Sequence, residues 1–341
     1  MPESGGVGHR PRVVVTHWVH PEVAAYLTEF SRPVIPPPDP GVWPAARILE
    51  LARDAEGLIA CMADRVDDAF LACCPRLRII AATLKGYDNF DAAACARRGV
   101  WLTIVPDTII PPTAELAIGL AIGIMRRVGE ADRAIRSAGF EGWRPQLYGS
   151  SLAGAAVGIV GLGDLGQSIA RLLGVFGARI LYADPRPLPP DTEQELAATR
   201  LGLDQLMPAS DVIIAAVPLI PSTRGLLGPD VLRLARRGTF LVNVGRGSAV
   251  DEEAVADALD EDRLGGYAAD VFAMEDWALP GRPVAIPARL LSHPRTLFTP
   301  HLGSAVSGIR RTMSLTAARQ VQQALTGHRP EHAVNEPRRP G

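Results

Sequence analysis

The chain has 341 residues, of which 47% are hydrophobic, and a formal net charge of −2 at pH 7. This length suits two domains, and the small charge gives no general attraction to nucleic acid or to a membrane surface. No run of about 18 apolar residues indicates a membrane span. Segment 1–10 is polar and lacks the apolar core of a signal peptide. We therefore expect a cytoplasmic protein with sizeable cores and a disordered N-terminal tail.

The cysteines indicate a reducing environment. Cys61, Cys73, Cys74 and Cys95 form no Cys-x-x-Cys pair and have no histidine nearby at ligand spacing. This pattern favours reduced, mostly buried thiols over disulfides or zinc. We predict no metal site.

The basic residues are distributed unusually. Of the 35 lysines and arginines, 34 are arginine, and Lys85 is the one lysine. It follows an apolar run and precedes Gly86, which is a poor place for a solvated lysine. Lys85 is either a chance survivor on the surface or a retained functional amine.

The first third of the chain predicts a small α/β domain. Its strands and helices alternate at a spacing typical of a parallel sheet covered on both faces. The proline-rich segment 33–40 is predicted to be a loop. The predicted strands are 12–16, 57–61, 77–83 and 101–104, and the predicted helices are 21–30, 44–54, 67–74 and 91–98.

A second domain is predicted over 109–300. Two helices, 113–125 and 128–138, precede an aromatic loop at 140–148. A Rossmann-type sheet follows, with strands at 157–160, 179–183, 211–217, 238–244, 265–270 and 296–299. A long helix at 304–325 is expected to return to the first domain, followed by an extended or disordered tail at 327–341.

A glycine motif dominates the second domain. The strand predicted at 157–160 is apolar and expected to be buried, and it is followed by Gly161, Gly163 and Gly166. A helix is predicted after these glycines, from Gln167 to Phe176. Gly161 allows a tight turn, Gly163 lets the backbone approach a pyrophosphate, and Gly166 lets helix and strand lie close together. Asp184 ends the next strand, near the position of the acid that holds the adenosine ribose. The motif predicts dinucleotide binding.

The predicted fold is α/β with two Rossmann-like domains. A flavodoxin-like substrate domain covers 1–108 and is completed by 301–341, and an NAD-binding Rossmann domain covers 109–300. In such folds the substrate lies beyond the carboxyl ends of the strands, so we expect the active-site cleft between the domains. The polar or soft side chains just past strand ends are Met62, Lys85, Arg246, Glu275 and His301.

Three of these residues suggest acid–base chemistry on an anion. Arg246 can bind an oxyanion bidentately and is expected to reach the cleft over flexible glycine. His301 is the best-placed base among the histidines, because a free imidazole titrates near pH ~6.5. Glu275 would orient the imidazole and raise its basicity. Asp276 competes for that role, and sequence reasoning alone does not separate the two.

These residues and the glycine motif resemble the D-2-hydroxyacid dehydrogenase superfamily from about residue 12 to 333. Within it the chain is most similar to the phosphite (phosphonate) dehydrogenases. Ordinary members generally lack a lysine at the position of Lys85, and their usual Glu-Pro after Asp-Val-Phe is replaced here by residues 274–277. The matching stretches are 62–67 (MADRVD), 84–91 (LKGYDNFD), 99–103 (GVWLT), 112–120 (PTAELAIGL), 265–272 (GGYAADVF) and 297–301 (LFTPH).

The resemblance implies a homodimer that oxidises phosphite to phosphate and transfers hydride to NAD⁺. It assigns His301, Glu275, Arg246 and Lys85 to catalysis. The implied substrate-binding residues are Lys85, Gly86, Arg246, Met62, Arg310 and, lent across the dimer, Trp143 and Tyr148. The implied cofactor-binding residues are Gly161, Gly163, Asp164, Leu165, Gly166, Asp184, Pro185, Arg186, Thr113, Pro218, Val244, Gly245, Arg246, Asp270, His301 and Gly303.

Charge supports this implication. Phosphite is largely dianionic near neutral pH, whereas a 2-hydroxy acid carries one negative charge, so a second cation beside Arg246 has a purpose. Asp184 is expected to repel a 2′-phosphate and favour NAD, with Arg186 allowing some NADP use. Two alternatives stay open: a glyoxylate/hydroxypyruvate reductase of the same superfamily, and a non-catalytic NAD-sensing protein.

Overall fold

The chain folds into two compact units. The computed structural model describes residues 10–39 and 41–337, so the expected tail over 1–9, Pro40 of the predicted loop and 338–341 lie outside the described residues. Unit 1 contains the described parts of Met1–Thr108 and Val306–Gly341, and unit 2 is Ile109–Ala305.

Unit 1 is built on one five-stranded sheet. Its helices are α1 (Pro21–Phe30), α2 (Ala45–Ala52), α3 (Asp68–Ala72), α4 (Ala92–Arg97) and α13 (Ser307–Leu325). Its strands are β1 (Arg12–Val15), β2 (Arg32–Val34), β3 (Gly57–Ala60), β4 (Ile79–Ala82) and β5 (Trp101–Thr103). All neighbouring strands are parallel, in the order β2-β1-β3-β4-β5. This is the flavodoxin-like doubly wound order.

The last long helix of the chain completes this unit. Val13 and Val14 are both fully buried, and they point to opposite faces of the sheet because strand side chains alternate. Helix α13 covers the Val13 face, and a Cβ on Gly57 would lie 3.0 Å from Cγ1 of Val321. The close approach explains why a strand of this sheet begins with glycine.

The structure corrects two sequence predictions for unit 1, the loop at 33–40 and the start of the last helix. The predicted loop 33–40 contains most of β2, an edge strand, where proline is tolerated because one side of the strand needs no ladder hydrogen bond. The tail after α13, predicted to be extended or disordered, is extended where it pairs with β5: Ala333 bridges Thr103, and the Val334 amide donates to the Leu102 carbonyl at 2.9 Å. Helix α13 begins at Ser307 rather than at residue 304.

Unit 2 is built on a seven-stranded parallel sheet. Its helices are α5 (Ile110–Met125), α6 (Val128–Ala138), α7 (Asp164–Val175), α8 (Pro190–Glu195), α9 (Leu203–Ala209), α10 (Pro229–Arg233), α11 (Glu252–Asp260) and α12 (Ala288–Ser292). Its strands are β6 (Ala156–Val160), β7 (Arg179–Ala183), β8 (Ala198–Arg200), β9 (Val212–Ala215), β10 (Thr239–Asn243), β11 (Leu264–Ala269) and β12 (Thr296–Phe298). The order β12-β11-β10-β9-β6-β7-β8 reverses direction beside β6, as in dinucleotide-binding Rossmann folds.

One helical segment of the described residues, Asp107–Met125, is long and apolar enough to cross a membrane, contrary to the prediction from sequence. Half of its apolar window is buried within the protein. Within unit 2, α5 packs on α7, β10 and β11, which is the environment of a core helix. Burial, which the sequence does not reveal, accounts for its apolar character.

The predicted fold class is confirmed: both units are α/β with parallel, Rossmann-like sheets. The cysteine prediction is correct in part. All four thiols are free, and Cys74 and Cys95 are buried, but Cys61 is half-buried and Cys73 is exposed.

Candidate active site

The glycine turn of unit 2 leaves room where a dinucleotide phosphate is expected. Gly161 has φ +91°, a left-handed conformation that favours glycine, and a Cβ on Gly166 would lie 2.2 Å from the Gly161 carbonyl oxygen. A Cβ on Gly163 would meet nothing within 4 Å. Helix α7 begins directly after it, at Asp164 rather than at the predicted Gln167. The open position and the helix N-terminus fit a pyrophosphate.

Asp184 lies at the end of β7, beside the glycine turn. Its two carboxylate oxygens accept hydrogen bonds from the backbone amides of Leu162 and Arg186, each at 2.9 Å. Arg200 donates to the carbonyl oxygens of Asp184 and Pro185 at 2.9 and 3.1 Å. Since each carboxylate oxygen has more than one acceptor site, Asp184 can also accept ribose hydroxyls. These residues fit the adenosine end of NAD.

The other predicted cofactor residues lie on loops of unit 2, except Thr113 on α5 and Leu165 on α7. Val244 is buried directly after β10, and Gly245 follows it. A Cβ on Gly245 would lie 2.6 Å from the Val217 carbonyl oxygen, next to Pro218. A Cβ on Gly303 would lie 2.9 Å from Oγ1 of Thr113. Leu165 is half-buried in the first turn of α7.

His301 and Glu275 form a direct pair. Nδ1 of His301 lies 2.7 Å from Oε2 of Glu275, and both side chains are about three-quarters buried, with 30% and 26% exposed. The other carboxylate candidate, Asp276, accepts a hydrogen bond from the Ser248 amide at 2.7 Å. The imidazole partner is therefore Glu275. Because Nδ1 is engaged, Nε2 is the nitrogen available for proton exchange.

His301 has an unusual backbone conformation, with φ +56°. The buried carboxylate of Asp270 holds this loop: it accepts from the Thr299 hydroxyl and the Leu302 amide, each at 2.6 Å, and from the Gly303 amide at 2.9 Å. Asp270 was predicted only as a cofactor residue. Its role in fixing the histidine loop depends on contacts that span 29 to 33 residues, so sequence reasoning missed it.

The glycines around Arg246 allow close packing, and their expected flexibility stays a prediction. A Cβ on Gly247 would lie 1.8 Å from the carbonyl carbon of Phe272. Gly247 thus places the Arg246 loop directly against the loop that carries Glu275. The Arg246 carbonyl accepts from Nδ2 of Asn243 at 3.0 Å, and its guanidinium donates to the Gly245 carbonyl at 3.0 Å.

The remaining candidates lie in unit 1. Lys85 follows β4, and its Nζ lies 2.5 Å from Oδ1 of Asp107, with 34% of the side chain exposed. The neighbouring Gly86 is half-buried. Met62 follows β3 and packs at the edge of a core, and its backbone carbonyl accepts a hydrogen bond from Nδ2 of Asn89 at 2.9 Å.

Arg310 lies in the first turn of α13, where burial lowers the pKa of its guanidinium. Burial, and next the charge of Arg310, lower the pKa of His17 to about 3. Neither ring nitrogen of His17 has a hydrogen-bond partner among the described residues. His17 lies two residues after the end of β1.

Comparison with known proteins identifies the family. A sequence profile of the NAD-binding domain of D-isomer specific 2-hydroxyacid dehydrogenases matches residues 118–303. The chain belongs to this family. It is therefore an oxidoreductase with an NAD-binding domain.

Several relatives of this dehydrogenase are named glyoxylate reductases. The chain is 33% identical to the one from Thermococcus kodakarensis, over 96% of this chain and 97% of that protein. It is 34% identical to the one from Aeropyrum pernix, over 96% of both. A solved structure of the NADPH-dependent glyoxylate/hydroxypyruvate reductase from Sinorhizobium meliloti, in complex with NADP and malonate, has a TM-score of 0.82 at 30% identity, covering 98% of this chain and 100% of that one.

Two aromatic residues predicted for the site of the dehydrogenase are highly exposed. Trp143 and Tyr148 lie between α6 and β6, with 78% and 75% of their surfaces exposed. Large exposed aromatic side chains are available to a partner surface. Their contribution to a second subunit stays a prediction.

Proposed function

We propose that this dehydrogenase oxidises phosphite. The reaction is phosphite plus water and NAD⁺ giving phosphate, NADH and a proton. The observation that carries the proposal is Lys85, the one lysine of the chain, which follows a strand at the carboxyl edge of the unit 1 sheet. The similarity of the stretch 84–91 to phosphite dehydrogenases supports the same assignment.

The charge of the substrate gives Lys85 a purpose. At about 4 Å and an effective dielectric of about 20, each added charge pair contributes roughly 4 kcal/mol before desolvation. Lys85 is paired with Asp107, whose side chain is 68% exposed. Exposed ion pairs contribute little stability, so the amine can exchange this partner for a dianion at small cost.

The chain's residues divide the chemistry among them. Arg246 and Lys85 bind the phosphite oxygens, with Arg310 and Met62 completing the substrate site. His301 takes a proton from the attacking water, and Glu275 stabilises the imidazolium that results. The water oxygen bonds to phosphorus as the hydride leaves it. NAD⁺, when bound, accepts that hydride.

Glyoxylate reduction is the second candidate, and the names of the relatives favour it. Arg246 would bind the carboxylate, and the protonated His301 would donate its proton to the carbonyl oxygen as hydride adds to the carbon. The same His301–Glu275 pair serves both directions of proton transfer. This candidate gives Lys85 no special purpose.

Three further properties belong to the proposal. The dehydrogenase acts in the cytoplasm as a homodimer in which Trp143 and Tyr148 wall the partner's site. It prefers NAD, because Asp184 repels a 2′-phosphate, and Arg186 allows some use of NADP.

Absorbance at the NADH band tests the substrate. We expect a rise when protein, NAD⁺ and phosphite are mixed, and a loss of about 10–100-fold in kcat/KM in Lys85→Ala, since a charged hydrogen bond contributes about 1.5–3 kcal/mol. Arg47→Ala, which removes an exposed arginine paired with Glu50 at 2.6 Å, is the control. Turnover of glyoxylate with NADH but none of phosphite with NAD⁺ would replace the proposal by the second candidate.

A further inference from the structure

Three carboxyl groups surround the short turn that carries Glu275. Glu275 itself binds His301. Asp276, 1% exposed, accepts from the Ser248 amide. Glu252, 6% exposed, accepts through Oε1 from the Ala273 amide at 2.8 Å. The carboxyl group of Glu252 has no part in the mechanism described above.

Only one of the two carboxyl oxygens of Glu252 has a hydrogen-bond partner among the described residues. Glu252 is the first residue of α11, and its Oε2 is buried without a hydrogen-bond partner in the described part of the chain. An ionised carboxylate in that position is costly, because water is excluded and no donor replaces it. Burial, together with the charges of Asp276 and Glu275, raises the pKa of Glu252 to about 7.

The groups that face Glu252 are acidic. Asp251 precedes it on the chain, Glu275 and Asp276 lie on the adjoining loop, and Tyr267 lies on β11. Burial, and next the nearby Glu252, raise the pKa of the Tyr267 phenol. The cation of the neighbouring α12, Arg289, pairs further along α11 with Asp257 and Asp260. In α10, Arg233 pairs with Asp230.

We propose that Glu252 is a positioning residue for the Glu275–His301 pair. As a neutral acid it fixes the turn that carries Glu275, and once ionised it adds a negative charge that strengthens the pair's hold on a proton. The inference rests on the proposed role of His301 in proton transfer, and it applies to either candidate substrate.

The pH dependence of turnover follows from this role. When His301 acts as a base it must first lose its own proton. Because the negative charge of ionised Glu252 favours the protonated imidazole, the oxidation rate rises only at higher pH. Glu252→Gln keeps the shape and the acceptor for Ala273 but cannot ionise. We expect the acidic limb of its kcat profile for oxidation to move to lower pH by roughly half a unit. A charge in direct contact with the imidazole would shift its titration by about 1–3 units. The expected shift is smaller because Glu252 acts through Glu275. At the wild-type midpoint of that limb the variant should exceed the wild-type rate by about 1.5-fold, and well below the midpoint by about threefold.

Two variants separate this role from a structural one. Glu253→Gln removes the neighbouring carboxyl of the same helix turn, which is 67% exposed and lies 3.8 Å from Arg289, and it should leave the limb in place. Glu252→Ala also removes the acceptor for Ala273, and it should lower kcat at every pH. A Glu252→Gln profile that coincides with wild type, or that is lowered equally at every pH, would overturn the inference.

Infrared spectroscopy reads Glu252 without turnover. In the wild-type holoenzyme we expect the carbonyl band of a protonated carboxylic acid that shifts with ¹³C-glutamate labelling and disappears as pH rises from 6 to 8. The band should be missing in Glu252→Gln and present in Glu253→Gln. Its absence from labelled wild-type protein overturns the inference even if the variant does not fold. A titrating band in a protein that turns over neither phosphite nor glyoxylate would instead count against the proposed function.

Discussion

A single backbone angle places the candidate base. His301 has φ +56°, and a non-glycine residue in the left-handed region costs roughly 1–2 kcal/mol. Asp270 offsets this cost through three hydrogen bonds to the same loop, from Thr299, Leu302 and Gly303. Charge-assisted bonds of this kind are about twice as strong as neutral ones, so one buried carboxylate is sufficient to hold the strained conformation.

Thr299→Val should loosen the His301 loop without touching either member of the pair. It removes the hydroxyl that donates to Asp270 and leaves an isosteric side chain. We expect the free energy of unfolding to fall by about 1–2 kcal/mol and kcat to fall severalfold, with the affinity for NADH nearly unchanged. Urea unfolding, steady-state kinetics and NADH fluorescence titration measure these quantities.

Thr312→Val is the matched control for that variant. Thr312 is exposed on α13, and its hydroxyl bonds to the Gly308 carbonyl one helical turn earlier. The control should retain both stability and kcat. Equal kinetics for Thr299→Val and Thr312→Val would show that the Asp270–Thr299 bond does not position His301.

At the scale of elements, two short turns must touch for the site to exist. The turn that begins at Gly247 follows Arg246, and the turn Ala273–Glu275 carries the carboxylate that binds His301. Only a residue without a Cβ permits the approach, since an added carbon would lie 1.8 Å from the Phe272 carbonyl carbon. Backbone contact, rather than side-chain packing, therefore sets the spacing of the arginine and carboxylate loops.

Gly247→Ala should separate those loops. Because backbone atoms must move to admit the methyl group, we expect a loss of at least about 2–3 kcal/mol in unfolding free energy and a fall in kcat/KM of more than tenfold. Gly174→Ala is the control: its Cβ would meet nothing within 4 Å in α7. It should stabilise the protein by about 0.5–1 kcal/mol. Equal activities of the two variants would contradict the contact argument.

The sequence predicts regular elements better than loop contacts. Sequence patterns place α1, α6 and β7 with their observed bounds. Short pieces such as β2 and β8 carry too few apolar residues to give a pattern. Glu275 and Asp276 were indistinguishable because they are adjacent; the turn geometry turns one toward His301 and the other toward Ser248. The Gly247 contact joins residues 25 positions apart, beyond any local pattern.

At the scale of the whole molecule, two buried titrating groups act on stability in opposite senses. His17 of unit 1 has its pKa lowered from 6.5 to about 3, chiefly by burial. It contributes stability that is complete above pH 6.5 and is lost as pH falls from there toward 3. Glu252 of unit 2 has its pKa raised from 4.5 to about 7. Its contribution is complete below pH 4.5 and is lost as pH rises through 7.

Between pH 4.5 and 6.5 the two groups change the free energy of unfolding in opposite directions. Removing either group should therefore reveal the pH dependence that the other one causes. As pH rises across this window, we expect the free energy of unfolding of Glu252→Gln to increase relative to that of wild type by about 1.4 kcal/mol per pH unit. His17→Phe is close in shape and cannot ionise. Its free energy of unfolding should increase relative to that of wild type as pH falls across the same window. Urea unfolding of wild type and both variants at pH 4.5, 5.5 and 6.5 measures the differences. Parallel curves for a variant and wild type would show that the residue replaced does not titrate in this window. Because the groups lie in different units, each variant also reports which unit limits the stability of the chain at a given pH.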